Sequence, residues 1–452
     1  MIEGQSATEI LAKFVADTDF DTLPPAVITS TKQRILDTIG VALAGSTAPG
    51  CKAARAIILA EEAMGTSTLW ASGERVGSRG AAFVNGMHAA ALDYDSVYER
   101  GSVHPDIVTV PAAWAIAEHV GADGKTFLAA VAVGNEIACR FGAANLENKG
   151  WFYTSTHGVF GAAAAAAKLL GLDTDGIANA LGLALSRSGG TQQALLEKSL
   201  AKRAQSGFAA EAGVFAAQLA AAGISGPRNA VEGKFGYHAL YGKGDPETMV
   251  QSLGNHYESL ATAIKKYPSC TANHVPIDLL IDLANTTDLD ETKIEHVEVA
   301  LSPFANQLVG GTFDPTENPQ VAAQFSIHYS AASALLRRRL GIAEIQDDAV
   351  LESRVTNFIS KVDIKIDNEN GGKFAPARVS VLTTTGNTLE AQLEYVPGTQ
   401  ENPLSTEQIE TKFRDCAAFG LQPRDTAQAD KLVATLTSLE EHSNLDALLT
   451  RS

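Results

Sequence analysis

Four stretches of the sequence carry side chains able to move a proton or hold an anion. The first is Asp93-Tyr94-Asp95, which ends the small apolar run from Gly80, with His104-Pro105-Asp106 one irregular loop later. Carboxylates at the end of a buried helix, with an imidazole a short loop away, stand where a polar pocket would open. The same pattern also fits a solvated helix end followed by a surface turn. The second is His157, behind Tyr153-Thr154-Ser155-Thr156 at the mouth of an apolar helix. A hydroxyl-rich lead-in is a common helix cap. The positive helix end lowers the pKa of an imidazole and keeps it a neutral base, the plain alternative being a merely structural histidine. The third is Lys198, Lys202 and Arg203, ahead of a helix expected from Ser206. The fourth runs from Lys265-Lys266-Tyr267-Pro268-Ser269-Cys270 to Ala272-Asn273-His274, where the chain changes character. Domain junctions favour ligand pockets.

Histidine and lysine with carboxylate support suit proton transfer next to a carboxylate. Cations hold the substrate's carboxylates, a histidine takes or gives the proton, and an aspartate orients it. Metal-binding patterns such as HxH, HExxH or Cys/His pairs at zinc spacing are absent. No glycine-rich nucleotide loop follows a strand, and Gly-x-Ser-x-Gly is missing. The expectation is therefore chemistry with no metal and no organic cofactor.

The elements that must position these groups are mostly helices. Ser6 and Glu9 form a capping box before a helix near Ala7 to Val15, and Pro24-Pro25 opens a second with Ile28, Ile35, Ile39 and Leu43 on one face. A third pattern spans Ala53 to Met64, and Leu69-Trp70 stays unassigned. Ala-rich helices are expected at 80–93, 108–120, 124–144, 158–170, 175–187 and 206–223, whose small side chains would pack closely. After about Ile264 strand alternation enters at Lys293 to Leu301, Val362 to Ile366 and Val379 to Thr383, with a hairpin turn at 385–388. Helices interleave at Ala272 to Leu283, Val321 to Arg338 and Leu351 to Ile359. Pro397-Gly398 closes this section, and Ser405 to Gln408 caps a helical tail. The fold expected is mainly α: a large all-helical domain formed by both chain ends (1–264 and 398–452), plus an inserted smaller α+β lid domain (265–397).

The 452 residues carry a formal net charge of -17, which argues against nucleic acid and anionic membrane as partners, since both need basic surface. Four scattered cysteines, Cys51, Cys139, Cys270 and Cys416, form no CxxC and fit a reducing compartment. The first ten residues, polar and acidic, read as neither a signal nor a transit peptide, and the longest apolar run, Val159 to Leu170, contains Lys168 and is too short to span a bilayer. A cytoplasmic protein is expected.

These residues also carry a family resemblance. Leu36-Asp37-Thr38-Ile39-Gly40, Phe83-Val84-Asn85-Gly86, Leu92-Asp93-Tyr94-Asp95, His104-Pro105 and Thr156-His157-Gly158-Val159-Phe160-Gly161 resemble the MmgE/PrpD family. So do Ala201-Lys202-Arg203, Gly207-Phe208-Ala209-Ala210, Lys265 to Cys270 and Glu401-Asn402-Pro403-Leu404-Ser405. That family includes 2-methylcitrate dehydratases, cis-aconitate decarboxylases and iminodisuccinate epimerases. The resemblance implies the two-domain fold above, a homodimer, no metal and no cofactor, and an active site between the domains. Asp93, His104, His157, Lys202 and Lys265 match the family's active-site positions. Lys266, Arg203, Ser96 and His274 are expected to bind the substrate.

Two departures stand out. Decarboxylases of the family tend to show Asp-x-Asp-Asp-Thr where this chain has Asp93-Tyr94-Asp95-Ser96-Val97, and much of the family reads Lys-Arg-Leu-His where this chain reads Lys202-Arg203-Ala204-Gln205. Pro268-Ser269-Cys270 with Ala272-Asn273-His274 is similar to the epimerase branch. The expected function is a cofactor-independent lyase on a small di- or tricarboxylate, by 2-methylcitrate-type dehydration or cis-aconitate-type decarboxylation. The alternatives are an epimerase or isomerase of an iminodisuccinate-like dicarboxylate and, from another class, a non-catalytic helical scaffold.

Overall fold

The computed structural model describes residues 6–147, 149–197, 199–287 and 289–449. The chain is mainly α and divides into two compact units, Met1–Ile264 with Thr406–Ser452, and Lys265–Ser405.

The first unit holds helices α1 (Ala7–Asp17), α2 (Pro25–Gly45), α3 (Cys51–Glu61), α4 (Ser78–Ala89), α5 (Asp106–Val120), α6 (Gly124–Ala144), α7 (Tyr153–Leu169) and α8 (Thr174–Leu185). The one-turn α9 (Gln193–Leu196) precedes the long α10 (Ala201–Ala221), and short α11 (Tyr237–Leu240) and α12 (Pro246–Val250) follow. The Ser6–Glu9 capping box forms, each donor and acceptor 3.1 Å apart, and Pro25 takes the first position of α2. On α2 the expected face is buried at Ile35, Ile39 and Leu43, with Ile28 half-buried. The hairpin of β1 (Ala63–Thr68) and β2 (Arg75–Val76) had no counterpart in the sequence reading, because Met-Gly-Thr-Ser-Thr lacks apolar alternation. Glu118 of α5 holds it, accepting from the Thr68 N–H at 2.6 Å and hydroxyl at 2.7 Å.

Small residues let the central helices close to backbone contact. A Cβ on Gly134 of α6 would lie 2.7 Å from the Gly161 carbonyl oxygen of α7, and one on Gly213 of α10 would lie 2.4 Å from the Ala162 Cβ. The alanine run of α7 is wholly enclosed. Among the described residues, α6 alone is long and apolar enough to cross a membrane, and its apolar window is entirely buried here. The C-terminal α19 (Thr406–Ala417) and α20 (Thr426–Thr437) pack against α2, where Phe413 lies over Gly40.

The second unit carries a four-stranded sheet in the order β4-β3-β5-β6. Here β3 (Ile294–Leu301) pairs parallel with β4 (Val362–Ile366) and antiparallel with β5 (Ala377–Thr383), which pairs antiparallel with β6 (Thr388–Leu393) across the expected turn. Gly386, at φ +84°, supplies the left-handed residue of that turn. Helix α13 (His274–Thr286) packs on β5 and β6. The helix expected over Val321 to Arg338 is broken into α15 (Pro319–Gln324) and α16 (Ile327–Arg337), after α14 (Pro303–Val309). The Gln324 carbonyl, which should continue the helix ladder, instead accepts from the Cys270 N–H and the Ser269 hydroxyl, each at 2.9 Å, and Ser326 recaps the chain at Tyr329. Short α17 (Asp347–Val350) and α18 (Ser353–Phe358) complete the unit. It runs past Pro397-Gly398 to Ser405 because Thr399 and Asn402 fold back, with Gly398 donating to the Asn402 carbonyl.

Alanine gains about 1 kcal/mol over glycine in a helix interior. At Gly134 the added methyl must move a neighbouring backbone, which costs about 1–3 kcal/mol by overpacking. Gly134→Ala is therefore expected to lower stability in denaturant unfolding, despite its better helix propensity. A variant as stable as the wild type would show that α6 and α7 can part freely.

Candidate active site

The first unit brings Asp93, Ser96, His104 and Lys202 together around the segment between α4 and α5. Helix α4 ends at Ala89, short of the expected Asp93, and the chain turns through Asp93 with φ +53°. Aspartate tolerates this left-handed conformation better than most side chains. The Asp93 carboxylate pairs with the Lys202 ammonium from the first turn of α10. Two residues on, Asp95 Oδ2 lies 2.7 Å from His104 Nδ1, and the Ser96 carbonyl oxygen lies 2.8 Å from the same nitrogen. A carbonyl oxygen can only accept, and so can an ionised carboxylate. Nδ1 therefore carries the hydrogen, and Nε2 is the nitrogen that can exchange a proton with a ligand. The His104 side chain is 18% exposed while Asp95 is 4% exposed, which suits a proton carrier with a buried orienting carboxylate. Thr154 of α7 accepts the His104 backbone N–H at 3.1 Å.

Beneath this segment lies a buried polar layer. The Ser96 hydroxyl donates to Asp106 Oδ2 at 2.5 Å, and Asn135 of α6 donates to Asp106 Oδ1 at 2.6 Å. Arg34 of α2 stands 3.4 Å from that same oxygen and also donates to the Ser259 carbonyl. A few residues along α2, Asp37 pairs at 2.5 Å with Lys412 of α19, whose ammonium donates to the Tyr94 carbonyl at 2.8 Å. Burial raises the Asp37 pKa to about 6 even with Lys412 beside it.

His157 sits differently from the sequence reading. Helix α7 begins at Tyr153, so His157 lies more than one turn inside it rather than at its mouth, and Phe152 caps the helix without a side-chain bond. The imidazole is fully buried, stacked on Tyr153 at 4.8 Å, with Tyr237 at 5.4 Å and Phe141 at 5.9 Å. Among the described residues neither ring nitrogen has a hydrogen-bond partner, because the Tyr237 hydroxyl is turned to Thr156 at 3.0 Å. Burial, with His238 nearby pushing the same way, drives its pKa down to about 3. The imidazole is neutral as expected, but desolvation rather than the helix end is the cause.

The remaining expected residues have protein partners of their own. Arg203 donates to the Pro49 carbonyl at 2.9 Å, and Ser96 is committed to Asp106. In the second unit Lys266 pairs with Asp278, which also accepts from the Tyr267 hydroxyl at 2.5 Å. His274 is fully buried with Nε2 3.2 Å from the Ser269 carbonyl oxygen, and Lys265 is 3% exposed. Lys198 lies outside the described residues. Among the described residues no group of three or more His, Cys, Asp or Glu side chains could hold a metal ion. The sequence reading missed Asp106, Arg34, Asp37 and Lys412 as parts of this layer. For Lys412 a signal existed: it falls on the stripe of Ile409, Phe413 and Cys416, an apolar helix face where a lysine is out of place.

The enclosure of His157 has a pH signature. An imidazole whose folded pKa lies below its unfolded value stabilises the fold above the unfolded pKa of about 6.5, and that stability is lost as pH falls toward the folded value. At about pH 5 the loss from this residue is on the order of 2 kcal/mol. His157→Phe is expected to keep that much more of its neutral-pH stability at about pH 5 than the wild type, measured by urea unfolding. Equal losses in both proteins would refute an enclosed imidazole.

The MmgE/PrpD N-terminal domain matches residues 9–249 and the MmgE/PrpD C-terminal domain matches residues 267–438. The cis-aconitate decarboxylase of Aspergillus terreus is 27% identical over 460 residues, spanning 95% of this chain and 93% of that protein. The cis-aconitate decarboxylase of Homo sapiens is 26% identical over 461 residues, spanning 98% of this chain and 95% of that protein. With both of the family's domains matched in order, the chain belongs to the MmgE/PrpD family.

Proposed function

We propose that the chain is a lyase that decarboxylates a small unsaturated tricarboxylate of the cis-aconitate type. The observation that carries the reading is the fixed His104 imidazole, whose Nδ1 faces two acceptors, Asp95 and the Ser96 carbonyl. The Lys202–Asp93 pair supports it: Asp93 keeps the ammonium aimed, and an ammonium has three donors to share with a substrate carboxylate. In the reaction the bond between carbon and the departing carboxylate breaks, and carbon dioxide leaves. The electron pair spreads through the conjugated double bond onto a remaining carboxylate. Lys202 stabilises that charge more strongly than the ground state. His104 then passes to the carbon a proton that its Nε2 takes up from water. His157, enclosed and without a polar partner, is assigned no proton in this scheme. The relatives named as cis-aconitate decarboxylases favour this substrate class.

A second reading, removal and return of a proton at a carbon next to a carboxylate, is favoured by Gln205. It replaces the histidine common in the family, and its side-chain oxygen is committed to the Thr191 N–H at 2.7 Å. Proton NMR in deuterium oxide over a panel of tricarboxylates and aspartate-derived dicarboxylates separates the two. A lyase forms a new product, whereas an epimerase incorporates deuterium and inverts a centre.

His104→Ala is expected to lower kcat by a factor on the order of 10²–10⁴, the usual worth of a general acid–base group. Lys202→Met is expected to raise KM as well as lower kcat. Added salt is expected to weaken wild-type substrate binding as screening grows. A folded His104→Ala variant with near-normal kcat on the true substrate defeats the scheme.

A further inference from the structure

The ammonium of Lys412 contacts residues far from it in sequence. It pairs with Asp37 Oδ1 at 2.5 Å, donates to the Tyr94 carbonyl at 2.8 Å, and stands 3.9 Å from the centre of the Tyr94 ring. Tyr94 lies 318 residues earlier in the chain, and it is the single residue between Asp93 and Asp95. One cation thus holds that residue by its backbone and by its side chain. A lysine over an aromatic face gains attraction that strengthens when both groups are dry, and here Lys412 is 6% and Tyr94 5% exposed.

The turn it holds needs holding. Asp93 keeps a left-handed backbone, which persists in a residue with a side chain only where the surroundings over-determine it. Asp95 must keep its carboxylate on His104 Nδ1 while the next residue, Ser96, is drawn down to Asp106.

The alternative is that Lys412 and Asp37 are simply a stabilising ion pair. Buried pairs are poor stabilisers, because the lost hydration of both charges about cancels their attraction, and apolar residues of similar volume often do as well or better. The further contacts of the ammonium, to the Tyr94 carbonyl and ring, give the pair a reason that stability does not.

We propose that Lys412 is a positioning residue of the site: by gripping Tyr94 it sets the Asp93 carboxylate that holds Lys202 and the Asp95 carboxylate that orients His104. The inference rests on the reading of His104 and Lys202 as the working groups of the reaction. Lys412 acts in this reading through Tyr94 and is not a catalytic residue. Asp37 keeps the ammonium in place from the α2 side. The C-terminal helix α19 is thereby tied to the chemistry of a segment near residue 95.

The test separates positioning from stability. Lys412→Met alone strands the Asp37 charge and can unfold the protein, so the informative variant is Lys412→Met with Asp37→Asn, which removes both charges together. It is expected to melt near the wild-type Tm, with kcat reduced on the order of 10-fold to 100-fold, the scale of a small misplacement of reacting groups. KM is expected to change less than kcat. Lys412→Arg, which retains a cation and donors for Tyr94, is expected to recover part of the loss. Tyr94→Leu leaves the ion pair and the backbone carbonyl in place and removes the ring contact. It is expected to lower kcat without lowering Tm, and it serves as the test if the double variant does not fold. A second measurement needs no substrate. Histidine-selective ¹⁵N NMR should show one fixed tautomer at His104 in the wild type and a mixture in the double variant or in Tyr94→Leu. Wild-type kcat together with an unchanged His104 signal in the folded variants overturns the proposal. If the wild type turns over none of the acids, the lyase reading fails by itself. The tautomer at His104 then decides on Lys412: mixed supports it and unchanged refutes it.

Discussion

Close approach of helix backbones is the constraint on which the first unit depends. Where Gly134 meets Gly161 and Gly213 meets Ala162, no room remains for a side chain between helices. Packing at that distance buries the backbone and excludes water from whatever side chains lie between helix ends. Polar groups in such a place are either matched closely or expelled, because an unpaired buried group loses its hydration with nothing in return. The alanine-rich composition therefore does more than fill a core. It creates a dry, rigid frame in which a few charged side chains are fixed by one another.

Those charges follow a consistent pattern. Arg34, Asp106, Asn135 and Ser96 form one set, and Glu136 with Arg140 forms another, at 2.6 Å and fully enclosed. Arg140 also donates to the carbonyls of Met249, Gln251 and His256, while Glu136 accepts from the N–H groups of Glu258 and Ser259. The long segment that follows α12 is thus pinned onto α6 by charge-assisted hydrogen bonds, which are stronger than neutral ones. That segment in turn bridges to Val97 through Ala263, just past the Asp-Tyr-Asp turn.

The two histidines singled out for chemistry show how the same frame produces opposite outcomes. His104 lies outside the helices, beside a carboxylate and a carbonyl that accept a hydrogen bond from Nδ1, and keeps some exposure. His157 lies inside a helix, between aromatic rings, with no acceptor. Solvation decides between them: the first keeps access to solvent at Nε2, whereas the second is held neutral by its surroundings.

The sequence by itself determined the helical frame, the strand-bearing section after Ile264 and the family. Those features rest on local signals: capping boxes, prolines at helix starts, alternation in β3, β4 and β5 with a hairpin turn ahead of β6, and short motifs in order. It also marked Asp93, Asp95, His104 and Lys202, since carboxylates and cations at the ends of apolar runs are legible one stretch at a time. Tertiary structure alone decided which of these groups face one another. Nothing local says that Asp95 takes His104 and Asp93 takes Lys202, that the Gln324 carbonyl leaves its helix for Ser269 and Cys270, or that the aromatic rings of Tyr153, Phe141 and Tyr237 close around His157. Lys412 is the extreme case, because its partners Asp37 and Tyr94 come from the other end of the chain. Helix periodicity reports which face of a segment is apolar. The partner of a charge on that face depends on long-range packing, and a periodic pattern carries no information about it.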